Sequence, residues 1–359
     1  MAVKYQIFPK GLPNYGYLYV DNQKNLRSGH LSHALVEYKK DCIMSFYSNC
    51  SGTRNKNSPG HNGFGWLEYR RSMDGGVSWD APKVFPYSWD SFINQPFTIS
   101  CEAAVSTKEN EIVAFCTRNL NPEGWEPYLS PTVVISLDGG ETWGEPVGLT
   151  DKEGRVWDAK VIDGAIYVLF QAAPDGIAKS SDEKYYIYRS TDGGHTYAEH
   201  SYLPGDLTGR LYGKIVVRED GSWICYTYNI KDEHRPDYFI SYDSGLSWTE
   251  CGQCYCAKRI RNPQVARVKG GYIMHGRAGC GRAADPQNEL PPHFVLYTSE
   301  DGIHWDEGVY LCAHESFSAY YSNNLVLTRK DGSQHVLIQS STPYDKGRVN
   351  VCHWFLEIE

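Results

Sequence analysis

Two histidines (His30 and His33), two carboxylates (Glu102 and Asp158) and four arginines (Arg118, Arg210, Arg261 and Arg277) are scattered through a chain of 359 residues that also holds 27 tyrosines. Two of those tyrosines, Tyr320 and Tyr321, stand side by side. A guanidinium fork grips a carboxylate through two parallel hydrogen bonds, so arginines converging on one point suit an anionic ligand. Histidine moves protons near neutral pH. A tyrosine hydroxyl, with a pKa near about 10, is a poor nucleophile until a neighbouring group takes its proton. As a set, these groups are the kind that bind and process an anionic sugar. Taken singly, each is as well suited to filling a polar channel with hydrogen bonds. Since they lie far apart in sequence, a repeated architecture has to bring them together.

That repeat is legible. Ser72-Met-Asp-Gly-Gly-Val-Ser-Trp79 returns as Ser136 to Trp143, Ser190 to Tyr197 and Ser241 to Trp248, and a shorter copy runs from Ser299 to Trp305. The aspartates Asp74, Asp138, Asp192, Asp243 and Asp301 are 51 to 64 residues apart, the size of one propeller blade. The pattern S-x-D-x-G-x-[ST]-W is the Asp box. Its carboxylate accepts backbone N–H groups in a hairpin turn, its glycine supplies the positive φ, and its aromatic is expected to tuck against the blade's own core. The boxes are structural and carry no catalytic assignment.

Ahead of each box lies a pair of alternating apolar strands, as in His33 to Phe46 and Glu102 to Phe115, with further pairs beginning near Asp158, Lys214, Gln264 and Asn324. Six strand pairs for five boxes predict an all-β, six-bladed β-propeller with Asp-box hairpins, one domain over residues 1–359. The sixth blade lacks a box, and Lys4 to Phe8 is expected to pair into it and close the ring. Each innermost strand presents its first residues at one mouth of the central channel, and the second strand ends there. The first set is His30, His33, Glu102, Trp157, Asp158, Arg210, Tyr212, Arg261, Tyr320 and Tyr321. The second is Tyr47, Arg118, Gln171, Tyr228, Arg277 and Gln339.

Composition agrees with many short strands and turns: 34 glycines and 18 prolines are spread along the chain, and aromatic residues make up 14%. No apolar run is long enough to span a membrane. A net charge of −8 argues against a nucleic-acid partner. The 11 cysteines show no disulfide spacing, and Cys251, Cys254 and Cys256 lack a second pair of ligands for zinc. No cofactor and no metal are expected. Met1 to Phe8 has neither an apolar signal core nor a cleavage site. The chain as written is therefore expected in the cytoplasm, or outside the cell if a signal precedes it.

The boxes and blade count resemble the sialidase superfamily over nearly the whole chain. Glu102 to Arg118 is similar to the sialidase segment that opens on the nucleophile-activating glutamate and ends on a carboxylate-binding arginine. Ser318-Ala-Tyr-Tyr-Ser322 is similar to the last-blade strand bearing the tyrosine nucleophile. The resemblance implies Tyr321 or Tyr320 as nucleophile, Glu102 as its activator and Asp158 as a general acid. It implies Arg118, Arg261 and Arg277 as the carboxylate clamp, with Arg210, His33 and Tyr320 as further substrate contacts. The substrate implied is an acidic oligosaccharide or glycan. The family's opening Arg-Ile-Pro is replaced here by Arg27-Ser-Gly-His30-Leu-Ser-His33.

His30-x-x-His33 instead resembles the opening of propeller-fold polysaccharide lyases. A lyase would use His30 as acid or base with a tyrosine partner and would neutralise a uronate carboxylate with arginine. A third reading is a glycan-binding propeller without chemistry. Glycosidase, lyase and binding module are separated by their products: a free sugar, an unsaturated sugar, or none.

Overall fold

The structure is a computed structural model that describes residues 3–8, 17–51, 65–94, 97–120, 128–176, 183–278, 293–313, 321–345 and 348–359. Six antiparallel sheets follow one another along the chain and form the six blades of a β-propeller. Their innermost strands are Leu35–Lys39, Phe97–Val105, Gly154–Ile162, Arg210–Val217, Arg261–Val268 and Ser322–Thr328. The first five blades have four strands each. In the sixth, Tyr5–Phe8 pairs with Arg348–Ile358, placing Tyr5 opposite Ile358 and Phe8 opposite Phe355. The first strand of the chain thus closes the ring as expected, and Tyr17–Val20 adds to the same sheet.

The apolar side chains gather between blades. One cluster joins Val36, Met44, Phe46 and Tyr69 of blade one to Ile99, Ile112, Cys116 and Val134 of blade two. Equivalent clusters lie at the next three junctions. A further cluster joins blades five and six, where Val3, Tyr5 and Ile7 pack with Ile273, Phe294, Val336 and Trp354. Leu35 and Ile43 meet Leu327 and Leu337 where blade six returns to blade one.

Each Asp box is built as much on its serine as on its aspartate. In the second box Ser136 Oγ donates to Asp138 at 2.8 Å and accepts the Gly140 amide at 2.8 Å. Asp138 also accepts the Thr142 amide and hydroxyl at 2.9 and 2.6 Å. Those bonds, the Thr142 hydroxyl foremost, hold its carboxyl down at about 2. The short fifth box replaces that hydroxyl with His304 Nδ1, 2.7 Å from Asp301.

The box aromatic does not turn into its own blade as the sequence suggested. Trp143 of blade two packs edge-on to Phe46, Tyr69 and Phe85 of blade one. Tyr197 meets Phe115, Trp305 meets Tyr226, and Trp79 meets His353, in each case on the preceding blade. Trp248 touches its own Trp223 but donates its indole N–H to Ser201 of blade three. The preceding blade also donates to the box backbone, from Tyr69 to the Gly140 carbonyl at 2.8 Å and from Tyr226 to that of Gly302 at 2.7 Å. A ring placed between sheets buries both its faces, whereas the flank of its own sheet would leave one wet. The Asp box is therefore an inter-blade staple.

Candidate active site

Four innermost strands carry one extra residue at the same level. The ladder skips at Glu102 in blade two, Trp157 in blade three, Tyr212-Gly213 in blade four and Asn262-Pro263 in blade five. A bulge re-aims the unpaired side chain, and here Glu102, Trp157, Tyr212 and Asn262 all turn to line one pit on the propeller axis. Tyr212 and Asn262 hold left-handed backbones, φ 52° and 55°, as does Ser32 of blade one at φ 71°. Asparagine and serine tolerate that region, but for a bulky tyrosine it is an outlier of the kind that collects at functional sites. Arg155, Lys214, Gln264, Tyr321, Ser322 and Asn323 complete the lining.

Tyr321 stands at the centre of this cluster. Arg277, only 3% exposed, donates to its hydroxyl at 2.8 Å, with the guanidinium 4.0 Å from the ring centroid. Asn262 Oδ1 accepts the other edge of Arg277 at 2.8 Å. The ring of His30 meets Tyr321 edge-on with centroids 4.4 Å apart. Tyr212 stands beside Tyr321, their ring centroids 6.3 Å apart. Glu102 shares the pit, with its carboxylate accepting from Arg155 at 2.8 Å and from the Ser32 amide at 3.2 Å.

Other expected site residues have their contacts elsewhere. Asp158 is the neighbour of the bulged Trp157 and turns toward blade four, accepting from Lys214 and the Ile215 amide, each at 3.0 Å. Burial would raise its pKa, but Lys160 and Lys214 outweigh burial and hold it below the usual carboxylate value. That environment favours the ionised form over the protonated form a general acid needs. Arg118 lies over Phe97, its guanidinium 5.2 Å from the ring centroid. Arg210 is paired with Asp237 of its own blade. His33 spends both ring nitrogens on structure: one lies 3.1 Å from the His30 carbonyl and the other accepts from Gln339 at 3.2 Å. Burial brings it down to about 4. Arg261 is ion-paired with Glu233 at 3.2 Å and still bears electrostatically on both pit tyrosines. Arg27 is tied to Asn49 and stacked on Trp66 within blade one. Tyr320 lies outside the described residues.

No family model matches the chain. A sialidase from Paraclostridium sordellii is 26% identical over 203 residues, covering 50% of this chain and 48% of that protein. The chain thus matches about half the length of that curated relative. Among solved structures, the Hadza microbial sialidase Hz136 superposes with a TM-score of 0.69 at 15% identity, over 94% of this chain and 68% of the other. A sialidase of Trypanosoma rangeli gives a TM-score of 0.62 at 16% identity, covering 92% of this chain and 55% of its own. The chain has the sialidase fold. A protein of unknown function from Dyadobacter fermentans shares it as well, with a TM-score of 0.68 at 12% identity and 97% of its own length covered.

Within this sialidase fold, the sequence pointed to several pit residues and missed others. Arg155 was missed because the blade-three strand starts at Gly154, ahead of the Trp157-Asp158 start that alternation suggested. Glu233, buried in the turn after the second strand of blade four, gathers Tyr228 at 2.7 Å, Arg259 at 2.9 Å and Arg261 at 3.2 Å. Tyr212 was recognised only as a strand start. Burial opposes its ionisation, but Arg277, Arg155, the Tyr321 hydroxyl and Arg261 prevail and set its pKa below the ordinary tyrosine value. Burial wins at Tyr321, whose pKa is pushed well above that value.

Proposed function

We propose that the chain is a glycoside hydrolase that removes a terminal acidic sugar, sialic acid or a close relative, from a glycan, with Tyr321 as nucleophile. The observation that carries this reading is the Tyr321 hydroxyl on the propeller axis, held by the buried Arg277 and surrounded by Arg155 and Arg261. Arginines that draw in a substrate carboxylate make a carboxylate nucleophile a poor choice, because like charges would meet at the anomeric carbon. A neutral tyrosine avoids that conflict, an exception to the usual pair of carboxylates. Solved T. rangeli sialidase structures, similar in fold, hold sialic acid and a covalent intermediate formed with 2,3-difluorosialic acid, which is the chemistry proposed here. The test is release of the free sugar from aryl sialosides, with product masses measured. Wild-type turnover is expected, with Tyr321→Phe reduced by about three orders of magnitude or more, in line with loss of a covalent nucleophile. Wild-type turnover left intact by Tyr321→Phe would sink the assignment.

The His30–Tyr321 contact favours one rival, a lyase acting on uronate glycans with these two residues as acid and base. The same substrate screen extended to uronate oligosaccharides separates the readings, because a lyase leaves an unsaturated product that absorbs in the ultraviolet.

A further inference from the structure

We propose that Cys101 and Cys116 are a disulfide-forming pair, a thiol modification site in blade two that pins the bulge presenting Glu102 to the pit. The inference goes beyond the glycosidase reading and does not depend on it. Its ground is register. The two cysteines face each other across the first two strands of blade two, on the last rung before the ladder skips at Glu102. That rung is of the non-hydrogen-bonded kind. The Cys101 amide donates to Ser32 Oγ at 3.2 Å and the Cys101 carbonyl accepts the Ala34 amide at 3.3 Å, so both backbone groups are turned to blade one. Opposed residues on such a rung have Cα atoms about 4.5 Å apart, inside the range of about 4.4 to 6.8 Å that a disulfide spans.

The side chains agree with the backbone. Both cysteines are free thiols, fully buried, on the face of the sheet that packs against blade one. The Cys101 sulfur lies 3.3 Å from the Ala103 carbonyl and the Cys116 sulfur 3.9 Å from that of Ala114. One leans forward along its strand and the other backward. Because the strands are antiparallel, both sulfurs therefore lie to the same side of the rung. Among the described residues no other two cysteines are opposed in a ladder. The matching rung of the other bulged blades sets Val156 opposite Phe170, Leu211 opposite Tyr228 and Arg261 opposite Arg277. Blade two alone carries a cross-link in place of packing at that level.

Burial pushes both thiols up, which makes them poor nucleophiles once the blade is folded. The bond therefore closes while blade two is still assembling, with a small-molecule disulfide such as glutathione disulfide as oxidant. One cysteine thiolate attacks that disulfide and expels a glutathione, and the second attacks the mixed disulfide and expels the other. The two protein thiols lose two protons and two electrons, and glutathione disulfide is reduced to two glutathiones. With the rung fixed, the extra residue of the bulge stays at Glu102, whose carboxylate is held by Arg155 and the Ser32 amide.

The test needs no substrate. The full chain is refolded from urea with either reduced or oxidised glutathione, and its thiols are counted after denaturation. The reduced preparation should keep all 11 thiols and the oxidised one should lose two of them. Peptide mapping without reductant should join the peptide containing Cys101 to the one containing Cys116. Absence of that link overturns the proposal. In urea unfolding the oxidised protein should gain about 100-fold in its folding equilibrium over the reduced one. Cys116→Ser, with Cys101→Ser as a second variant, should show no difference between the two preparations. A gain that survives in both variants overturns the assignment of the pair. Hydrogen exchange reads the bulge itself. Amides flanking Glu102 should exchange more slowly in the oxidised protein, and those flanking Asn262 at the blade-five bulge should be unchanged. Exchange at Glu102 that ignores the oxidation state overturns the pinning.

Discussion

Asp158 and Lys214 form a buried ion pair between blades three and four, with side chains 4% and 5% exposed. A pair this deep is held by mutual compensation, so removing one partner strands the other's charge. Lys214→Met is expected to cost about 3–5 kcal/mol in urea unfolding, and adding Asp158→Leu to recover most of it. A double variant no more stable than Lys214→Met would mean that the aspartate is not the stranded charge. At this scale sequence reading found Tyr321, Arg277 and Glu102, because strand starts and strand ends do converge on the pit. It could not assign partners. Asp158 and Glu102 look alike on paper, and one residue of bulge register sends the first toward the next blade and the second onto the axis. Arg118 was named as a strand end and as the close of the sialidase-like segment that Glu102 opens, but alternation along its strand directs it to Phe97.

The Asp-box hairpin ties each blade to the one before it, and setting one of its glycines beside a glycine from an ordinary strand turn separates two costs that are usually confounded. Gly140 and Gly221 both sit at φ 83°. A Cβ on Gly221 would meet nothing within 4 Å, whereas on Gly140 it would lie 2.2 Å from Met44 Cε of the preceding blade. Gly221→Ala should therefore cost about 1 kcal/mol, the price of the left-handed backbone alone. Gly140→Ala should cost about 1–3 kcal/mol more, because the crowded methionine must move. Equal losses in urea unfolding would mean that the box does not press on its neighbour. The boxes were fully legible, since serine, aspartate, glycine and aromatic all lie within eight residues. The partner of the aromatic was not, because a local motif does not say on which side of its own sheet a hairpin folds.

Across the whole molecule, three histidines flanking blade six are held neutral by burial. His33 is brought to about 4, and His275 and His353 to about 3. His353 and His33 are joined through Gln339, while His275 bonds Ser322 and Asn324. An unfolded chain protonates such histidines near about pH 6.5, but the folded one resists until near 4 or 3. The stability they contribute is complete above about pH 6.5 and is lost as pH falls toward 3. The urea midpoint is expected to fall between pH 7 and pH 4, with a shallower slope in His353→Gln. A slope unchanged by that substitution would remove His353 from the account. The blade count and the closing strand were readable from the repeat. These buried rings were not, because nothing local marks a histidine that ends up between two sheets.

Five of the six blade junctions are riveted by a box aromatic reaching backward, and blade six has no box to reach back to blade five. That junction is instead fastened by the opening of the chain, where Val3, Tyr5 and Ile7 fill the place a rivet would take. The ring is thus a bracelet with one clasp, and the clasp lies between the two blades that supply Arg277 and Tyr321. A loosened clasp would be felt first as slack between the arginine and the phenol it holds, long before the propeller itself came apart.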